Sequence, residues 1–229
     1  MILHRPSNTR GHLKNHWIES RRTFSNNSYC NPKYMNWGDL LVINDDIVQP
    51  GNFVPWHEHK NTEILGYIVQ GPCYHKDSLG NFGEADTNWV QRMSSGKGIE
   101  HTEGNNSDHP IRYLQLWISP SIENTKAEYT KQYFSPEQRK NNFCPIAGPK
   151  GPIIIRQDAY VSTGIFTENY EYILSQSRIY YVYAINGNVT INGQEIHPGD
   201  GLSIKHESDL IITNANCELL LFDLNYKSV

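Results

Sequence analysis

Short segments rich in β-branched and aromatic residues, each closed by turn residues, recur along this chain of 229 residues. In the first half, residues 64–69 read Ile-Leu-Gly-Tyr-Ile-Val and stop at Gly71-Pro72. In the second half, residues 180–185 read Tyr-Tyr-Val-Tyr-Ala-Ile and stop at Asn186-Gly187. Many short strands with regularly placed turns favour a sandwich or a barrel, and helical patterns are scarce. The sequence therefore predicts an all-β fold.

The two halves repeat the same order of strands and turns after an irregular arm at residues 1–37. A helical turn is predicted from Ser135, which caps a proline at the first helical position, and a second helix is predicted over residues 124–133. A stretch rich in glycine and proline follows at residues 148–152. We predict an N-terminal domain of residues 1–130, which includes the arm, and a C-terminal domain of residues 131–229.

Two pairs of metal-ligating residue types lie near the ends of residues 51–105. His57 and His59 form the first pair, and His101 and Glu103 form the second. Residues two apart on a β-strand project from the same face, so each pair directs both side chains to one side of a sheet. Two such strands facing each other inside a barrel could bring three imidazoles and a carboxylate to one point. Such a set, with room for water or substrate, suits a borderline divalent metal, Fe(II) among them.

Several residues near these pairs have two possible roles. His75 either supports the site from a neighbouring strand or packs as an ordinary residue. Trp56 and Trp89 either wall the pocket or plug the mouth of the barrel, and the plug is favoured. Glu58 and Glu100 alternate to the opposite face of their strands, where they are expected to contact solvent.

Composition and charge exclude several classes of protein. The formal net charge is −4, with acids and bases interspersed, so direct nucleic-acid binding is not expected. No run approaches the ~18 consecutive apolar residues of a transmembrane helix, and no apolar leader follows the first methionine. The 4 cysteines are scattered, which favours free thiols in a reducing compartment. We expect a cytoplasmic protein with no membrane partner.

The glycines around the two pairs make the chain resemble the cupin superfamily. The first cupin motif, a glycine, His-x-His and a glutamate, is matched by Gly51, His57, His59 and Glu63. The second, a glycine, a histidine and an asparagine, is matched by Gly98, His101 and Asn105. Within cupins the chain is similar to the pirin family through nearly its whole length. Matching segments include residues 75–81 (His-Lys-Asp-Ser-Leu-Gly-Asn), 92–96 (Arg-Met-Ser-Ser-Gly) and 98–103 (Gly-Ile-Glu-His-Thr-Glu).

This resemblance implies a bicupin fold, with two stacked antiparallel β-barrels of the jelly-roll type and one or two short connecting helices. It implies an iron-type metal in the N-terminal barrel, held by His57, His59, His101 and Glu103. Glu63, a ligand in other cupins, is then expected to lie behind the ligands. Fe(II) is the first choice, with Ni, Mn, Cu, Co and Zn as alternatives. The C-terminal barrel is expected to bind no metal, because Ile173 and Ser175 align with His57 and His59.

Pirin-like proteins have two kinds of function, and the sequence leaves both open. Some are flavonol dioxygenases of the quercetinase type, which implies a flavonol-like substrate and Glu103 as the base that takes its hydroxyl proton. Others are regulatory partners of proteins, which implies a redox-sensitive metal site. Thr62 and Thr87-Asn88-Trp89 depart from the family pattern, and we expect both at the pocket rim. A roomy pocket favours a substrate, whereas a sealed site under an exposed apolar patch favours a protein partner.

Overall fold

The computed structural model describes residues 1–226, whose regular structure is almost entirely β-strand. Within these residues the helical segments are a 3₁₀ turn at Ser7–Thr9 and α1 at Pro136–Arg139. A capping box begins α1, because Ser135 and Gln138 each accept a hydrogen bond from the other's backbone N–H. No helix in the described part of the chain is long and apolar enough to cross a membrane. The predicted all-β bicupin fold with one or two short helices is confirmed.

Two sheets build the first barrel. The larger runs in the order β12-β9-β6-β11-β4-β3-β2. Its strands are β2 (Gly11–Lys14), β3 (Ile18–Arg22), β4 (Leu40–Val48), β6 (Glu63–Gln70), β9 (Trp89–Ser94), β11 (Ile111–Ile118) and β12 (Glu128–Tyr133). The smaller sheet runs β5-β10-β7-β8. Its strands are β5 (Phe53–His59), β7 (Cys73–Asp77), β8 (Phe82–Ala85) and β10 (Ile99–Gly104).

One sheet builds the second half. Its main path is β1-β19-β17-β20-β15-β13-β14, and β16 and β18 pair with β20 and β17 at its side. The strands are β1 (Ile2–Arg5), β13 (Cys144–Gly148), β14 (Ile153–Ile154), β15 (Ala159–Phe166), β16 (Tyr170–Ile173), β17 (Arg178–Ile191), β18 (Gln194–Ile196), β19 (Gly201–Lys205) and β20 (Asp209–Asn225). The turn at residues 192–193 joins β17 to β18 as a hairpin.

The helix predicted over residues 124–133 is wrong. Residues 128–133 form β12 instead, antiparallel to β9, with Tyr129 opposite Met93. Tyrosine and threonine favour strands, and the ring of Tyr129 stacks on His75 with centroids 4.3 Å apart. Contact with the interior of the first barrel therefore outweighs the local helical pattern.

The first strand of the chain pairs with the second half. In β1, His4 lies opposite Leu202 of β19, whereas β2 already belongs to the first barrel. The chain therefore crosses between the halves within residues 6–10. The arm expected to be irregular holds ordered strands, among them β3 at Ile18–Arg22. The division at residue 130 stays a prediction.

A large apolar cluster joins the two halves. Leu114 and Leu116 of β11 pack in the same buried cluster as Tyr183 of β17 and Phe222 of β20, and all four are 0% exposed. Because side chains alternate along a strand, the intervening residues of β11 face the interior of the first barrel. One strand thus forms the interface with one face and supports the barrel interior with the other.

The fragment of residues 1–120 should aggregate when it is expressed alone. It would expose the apolar face that includes Leu114 and Leu116, and it would lack β12, the edge partner of β9. Size-exclusion chromatography of the fragment beside the full chain measures this. A fragment that stays monomeric, folded and metal-loaded would contradict it.

Candidate metal centre

Three histidines meet on two paired strands of the smaller sheet. In the antiparallel pair β5 and β10, His57 lies opposite His101 and His59 lies opposite Ile99. The ligand atoms of His57, His59 and His101 all lie within 4.8 Å of one another. The strands were predicted to face each other across the barrel, but they are hydrogen-bonded neighbours. Directly opposed residues of such a pair have their β-carbons ~5 Å apart, which accounts for the tight cluster.

The ring nitrogens of this cluster have the arrangement that a metal ion requires. His57 Nδ1 lies 2.8 Å from the carbonyl oxygen of Pro55, which fixes that nitrogen as the donor and leaves Nε2 as the one with a lone pair. Within residues 1–226, His59 Nε2 and both ring nitrogens of His101 are buried without a hydrogen-bond partner. Buried unpaired polar atoms are costly, and a coordinated ion removes that cost.

Burial also keeps the imidazoles of His59 and His101 neutral. It lowers the pKa of His59 to about 4, and the charge of His57 adds to the effect. It lowers the pKa of His101 to about 2, with further contributions from His57, His59 and His75. A metal ligand must be the neutral imidazole, so at neutral pH no proton has to leave these two rings before a cation binds. The three histidines therefore form a group that could hold a divalent metal ion.

Glu103 lies close to this cluster but outside the group of three. It follows His101 on β10 and is 3% exposed. Gln115 Nε2 and Tyr113 Oη, both on β11, donate to its Oε1. Burial raises the pKa of Glu103 to about 7, and the charge of Asp46 raises it further. Its roles as fourth ligand and as base stay predictions.

Replacing Glu103 with glutamine should stabilise the metal-free protein at pH 8 and have little effect at pH 4. The pKa of Glu103 in the folded protein is raised to about 7 from its ordinary value of 4.5. As pH rises from 4.5 through 7 the buried carboxyl ionises, and the free energy of unfolding falls. The full loss is about 3 kcal/mol. Thermal unfolding of both proteins across this range measures the difference. Glu100→Gln, at an exposed position of the same strand, is the control, and a difference that does not grow with pH would contradict the assignment.

His75 is buried behind His101. Its Nε2 lies 2.9 Å from Asp77 Oδ2, its ring centroid is 5.5 Å from that of His101, and Tyr129 stacks on it. These contacts favour the first of its two possible roles, support of the site from the neighbouring strand β7. Glu63 accepts a hydrogen bond from Ser94 Oγ at 2.5 Å and lies outside the histidine group.

Sequence reasoning missed Tyr113, Gln115 and Tyr129. The alternation of polar and apolar residues along β11 carried a usable signal, because Leu114 and Leu116 face the second half and so direct Tyr113, Gln115 and Trp117 inward. The indole of Trp117 contacts the ring of His59 edge-on, with ring centroids 4.9 Å apart. Tyr129 was hidden by the wrong helical prediction.

Two cavities flank the histidines. A cleft of about 620 Å³ is lined by His57, His59, Thr62 and Trp117, with further polar residues on β3 and β4. An inner cavity of about 10 Å³ is lined by His75, His101, Glu103 and Tyr129 among others, and it has room for about one water molecule. The metal centre therefore has an open side and a closed side.

The two segments expected at the pocket rim, Thr62 and residues 87–89, do not lie in the same place. Thr62 lines the cleft as expected. Residues 87–89, also expected at the rim, line neither cavity; Thr87 Oγ1 accepts from the backbone N–H of Gly71, and Asn88 Oδ1 accepts from Arg139. Trp56 is 51% exposed, and Trp89 packs near Tyr133 with ring centroids 5.9 Å apart. Neither tryptophan lines either cavity of the metal centre.

Glu58 and Glu100 are exposed, and all four cysteines are free thiols.

Comparison with known proteins follows the two halves of the fold. The family model described as Pirin matches residues 4–118. The model described as Quercetinase C-terminal cupin domain matches residues 145–224. The first match spans the strands that carry the histidine cluster, and the second spans most of the nine-stranded sheet.

Individual relatives match along almost the whole length. The chain is 33% identical to the quercetin 2,3-dioxygenase of Escherichia coli over 98% of its own residues and 99% of that protein. It is 34% identical to a pirin-like protein of Caulobacter vibrioides over 97% of its own residues and 99% of that protein. The crystal structure of the bacterial pirin YhhW of Escherichia coli in complex with nickel(II) matches with a TM-score of 0.93 and 32% identity, covering 99% of this chain and 100% of that one. The chain belongs to the pirin family of cupin proteins.

Proposed function

We propose that this protein is a metal-dependent dioxygenase that cleaves a flavonol such as quercetin. One observation carries the proposal: three imidazoles converge, two of them buried with unpartnered ring nitrogens, and two of the three line a cleft of about 620 Å³. That volume lies within the range of about 300 to 1,000 Å³ usual for small-molecule sites. The name of the Escherichia coli relative, quercetin 2,3-dioxygenase, supports the same substrate class.

His57, His59 and His101 would hold the metal, and Glu103 is proposed as the fourth ligand. Gln115 and Tyr113 both donate to Oε1 of Glu103, so Oε2 is the candidate ligand atom. When bound, a redox-active divalent metal supplies a Lewis acid for an anionic oxygen and a means to activate dioxygen. Fe(II) is the proposed ion, with Ni, Mn, Cu, Co and Zn as alternatives. The nickel complex of the Escherichia coli pirin supports a divalent ion of this group.

Glu103 is also the proposed base, a role that its Oε2 would take when it is not bound to the metal. A flavonol carries an acidic hydroxyl beside a carbonyl, and it becomes a good metal ligand only after that hydroxyl loses its proton. In the metal-free protein burial raises the pKa of Glu103 to about 7, so a carboxyl that is not bound to the metal would accept a proton near neutral pH. Gln115 and Tyr113 hold the carboxyl in place, and the closed inner side of the site limits water around it. Ring cleavage with dioxygen would then release carbon monoxide.

Turnover of quercetin should require both a bound metal and dioxygen. Freshly purified protein is analysed for metal, stripped, and reloaded with each candidate ion. Loss of the visible absorbance of quercetin and release of carbon monoxide are then followed in air and under nitrogen. We expect turnover in air with at least one ion and none under nitrogen. No turnover with any fully loaded form, or equal turnover without oxygen, would refute the proposal.

The alternative function is a redox-sensitive regulator that binds a protein partner through the metal site. It predicts a sealed centre beneath an exposed apolar patch. The open cleft beside His57 and His59 favours a small-molecule substrate instead. The regulatory function is kept as the outcome that a failed turnover assay would support.

A further inference from the structure

A separate cavity of about 300 Å³ lies where the N-terminal strand meets the second half. Its walls come from β1, from the loop before β4 and from strands β17 and β19. Four aromatic side chains line it: Phe24, Tyr34, Trp37 and Tyr181. It shares no lining residue with the two cavities of the metal centre. Any ligand bound here would therefore occupy a site of its own.

Three residues of this lining carry polar atoms with no hydrogen-bond partner within residues 1–226. They are Arg5 Nε, Trp37 Nε1 and Tyr181 Oη, and all three atoms are buried. Arg5 as a whole is 4% exposed and Tyr181 is 1% exposed. All three groups can donate a hydrogen bond, and leaving such groups unpaired in the interior is unfavourable. Because all three groups are donors, they indicate a ligand that supplies hydrogen-bond acceptors.

The guanidinium of Arg5 is held in place by aromatic residues. Its Cζ lies 3.3 Å from the ring centroid of Tyr34, and its Nη2 donates to Tyr29 Oη at 2.9 Å. Arg5 pairs with Gly201 across β1 and β19. A β-carbon at Gly201 would lie 1.9 Å from Tyr181 Oη, so the absence of a side chain there lets the hydroxyl lie beside the strand that Arg5 pairs with.

The charge around this cavity is positive. Among the residues that the structure describes, its lining includes Arg5 and Lys33 and no aspartate or glutamate. Asp200, next to Gly201, accepts hydrogen bonds from His4 Nε2 at 2.9 Å and from the backbone N–H of Ser7 at 2.6 Å. This carboxylate is therefore already satisfied by the N-terminal segment.

We propose that this cavity is a binding site for a small, flat aromatic carboxylate. The carboxylate would accept hydrogen bonds from Arg5 Nε and Tyr181 Oη, and the ring would pack among Phe24, Tyr34 and Trp37. A single anionic group matches the single buried guanidinium. The aromatic walls favour an organic anion over an inorganic one, because an inorganic ion would leave the apolar surface of the cavity without a partner. The site does not depend on the proposed dioxygenase function.

The probe is 2-naphthoate, with the neutral 2-naphthamide as its matched control, titrated into the metal-loaded full chain by calorimetry. We expect 2-naphthoate to bind and 2-naphthamide to bind at least about tenfold more weakly, since hydrogen bonds to charged groups are the stronger ones. Arg5→Gln should weaken 2-naphthoate by about tenfold or more. Arg21→Gln should not, because Arg21 lies in the same N-terminal segment but bonds Glu19 outside the cavity.

Tyr181→Phe keeps the test decisive if Arg5→Gln does not fold. It removes only the unpartnered hydroxyl, so it should weaken 2-naphthoate severalfold without lowering the melting temperature of the ligand-free protein. His59→Ala separates this site from the metal centre and should leave 2-naphthoate affinity unchanged. The proposal would be overturned if 2-naphthoate did not bind or if the amide bound equally well. It would also be overturned by unchanged affinity in Tyr181→Phe or by loss of binding in His59→Ala.

Discussion

Replacing His59 or His101 with alanine should remove most of the divalent metal from the purified protein while leaving its β structure intact. Each substitution takes away one of three converging imidazoles and leaves two, in a cluster whose ligand atoms lie within 4.8 Å of one another. Removing a residue that hydrogen-bonds to a metal ligand lowers metal affinity by about 10- to 100-fold. Removing a ligand itself should therefore lower it by at least about 100-fold. Flavonol turnover should fall with the metal.

The measurement is elemental analysis after dialysis, with circular dichroism as the check on folding. His16→Ala is the matched control, because His16 is exposed and lies outside the cluster. Full metal occupancy in both His59→Ala and His101→Ala would refute the site. Equal metal loss in His16→Ala would show that the substitutions act through general destabilisation.

Replacing Glu103 with glutamine should lower flavonol turnover by about 100- to 10,000-fold, the usual contribution of a positioned general base. The amide has nearly the same shape and its oxygen can still accept from Gln115, so the packing of β10 against β11 should survive. The amide cannot take up the hydroxyl proton near neutral pH, and it is a weaker metal ligand than a carboxylate. Turnover should therefore fall more steeply than metal content.

Steady-state rates per bound metal ion measure this effect, because they separate lost chemistry from lost metal. Glu100→Gln is the matched control: it makes the same chemical change on the same strand, at a position that is exposed. If turnover per metal ion in Glu103→Gln equals that of the unmodified protein, Glu103 is not the base. A loss of the same size in Glu100→Gln would indicate a nonspecific effect of charge.

The metal cluster was predictable because its geometry is mostly local. A spacing of two residues on a strand fixes the side of the sheet to which His57 and His59 point, whatever the rest of the fold. The direct pairing of β5 with β10 was not predictable, because it depends on the register of strands about forty residues apart. The same limit applies to β12, whose partner β9 decides its conformation.

The surroundings of the cluster were harder to predict. Gln115 and Tyr113 reach Glu103 from a different sheet, so the position of their strand had to be known first. Residues 87–89 lie near the rim in sequence-based reasoning, yet Asn88 bonds Arg139 instead. The cavity beside Arg5 is formed by segments from both ends of the chain, and no short motif marks it.

The pairing of β1 with β19 has a consequence for the order of folding. His4 leaves the ribosome long before Leu202, which lies opposite it. Contacts between such distant residues close slowly, because a long loop must be ordered before they form. Until then β19 has one unpaired edge that can pair with another chain. The nine-stranded sheet can therefore be completed only after β19 has been synthesised.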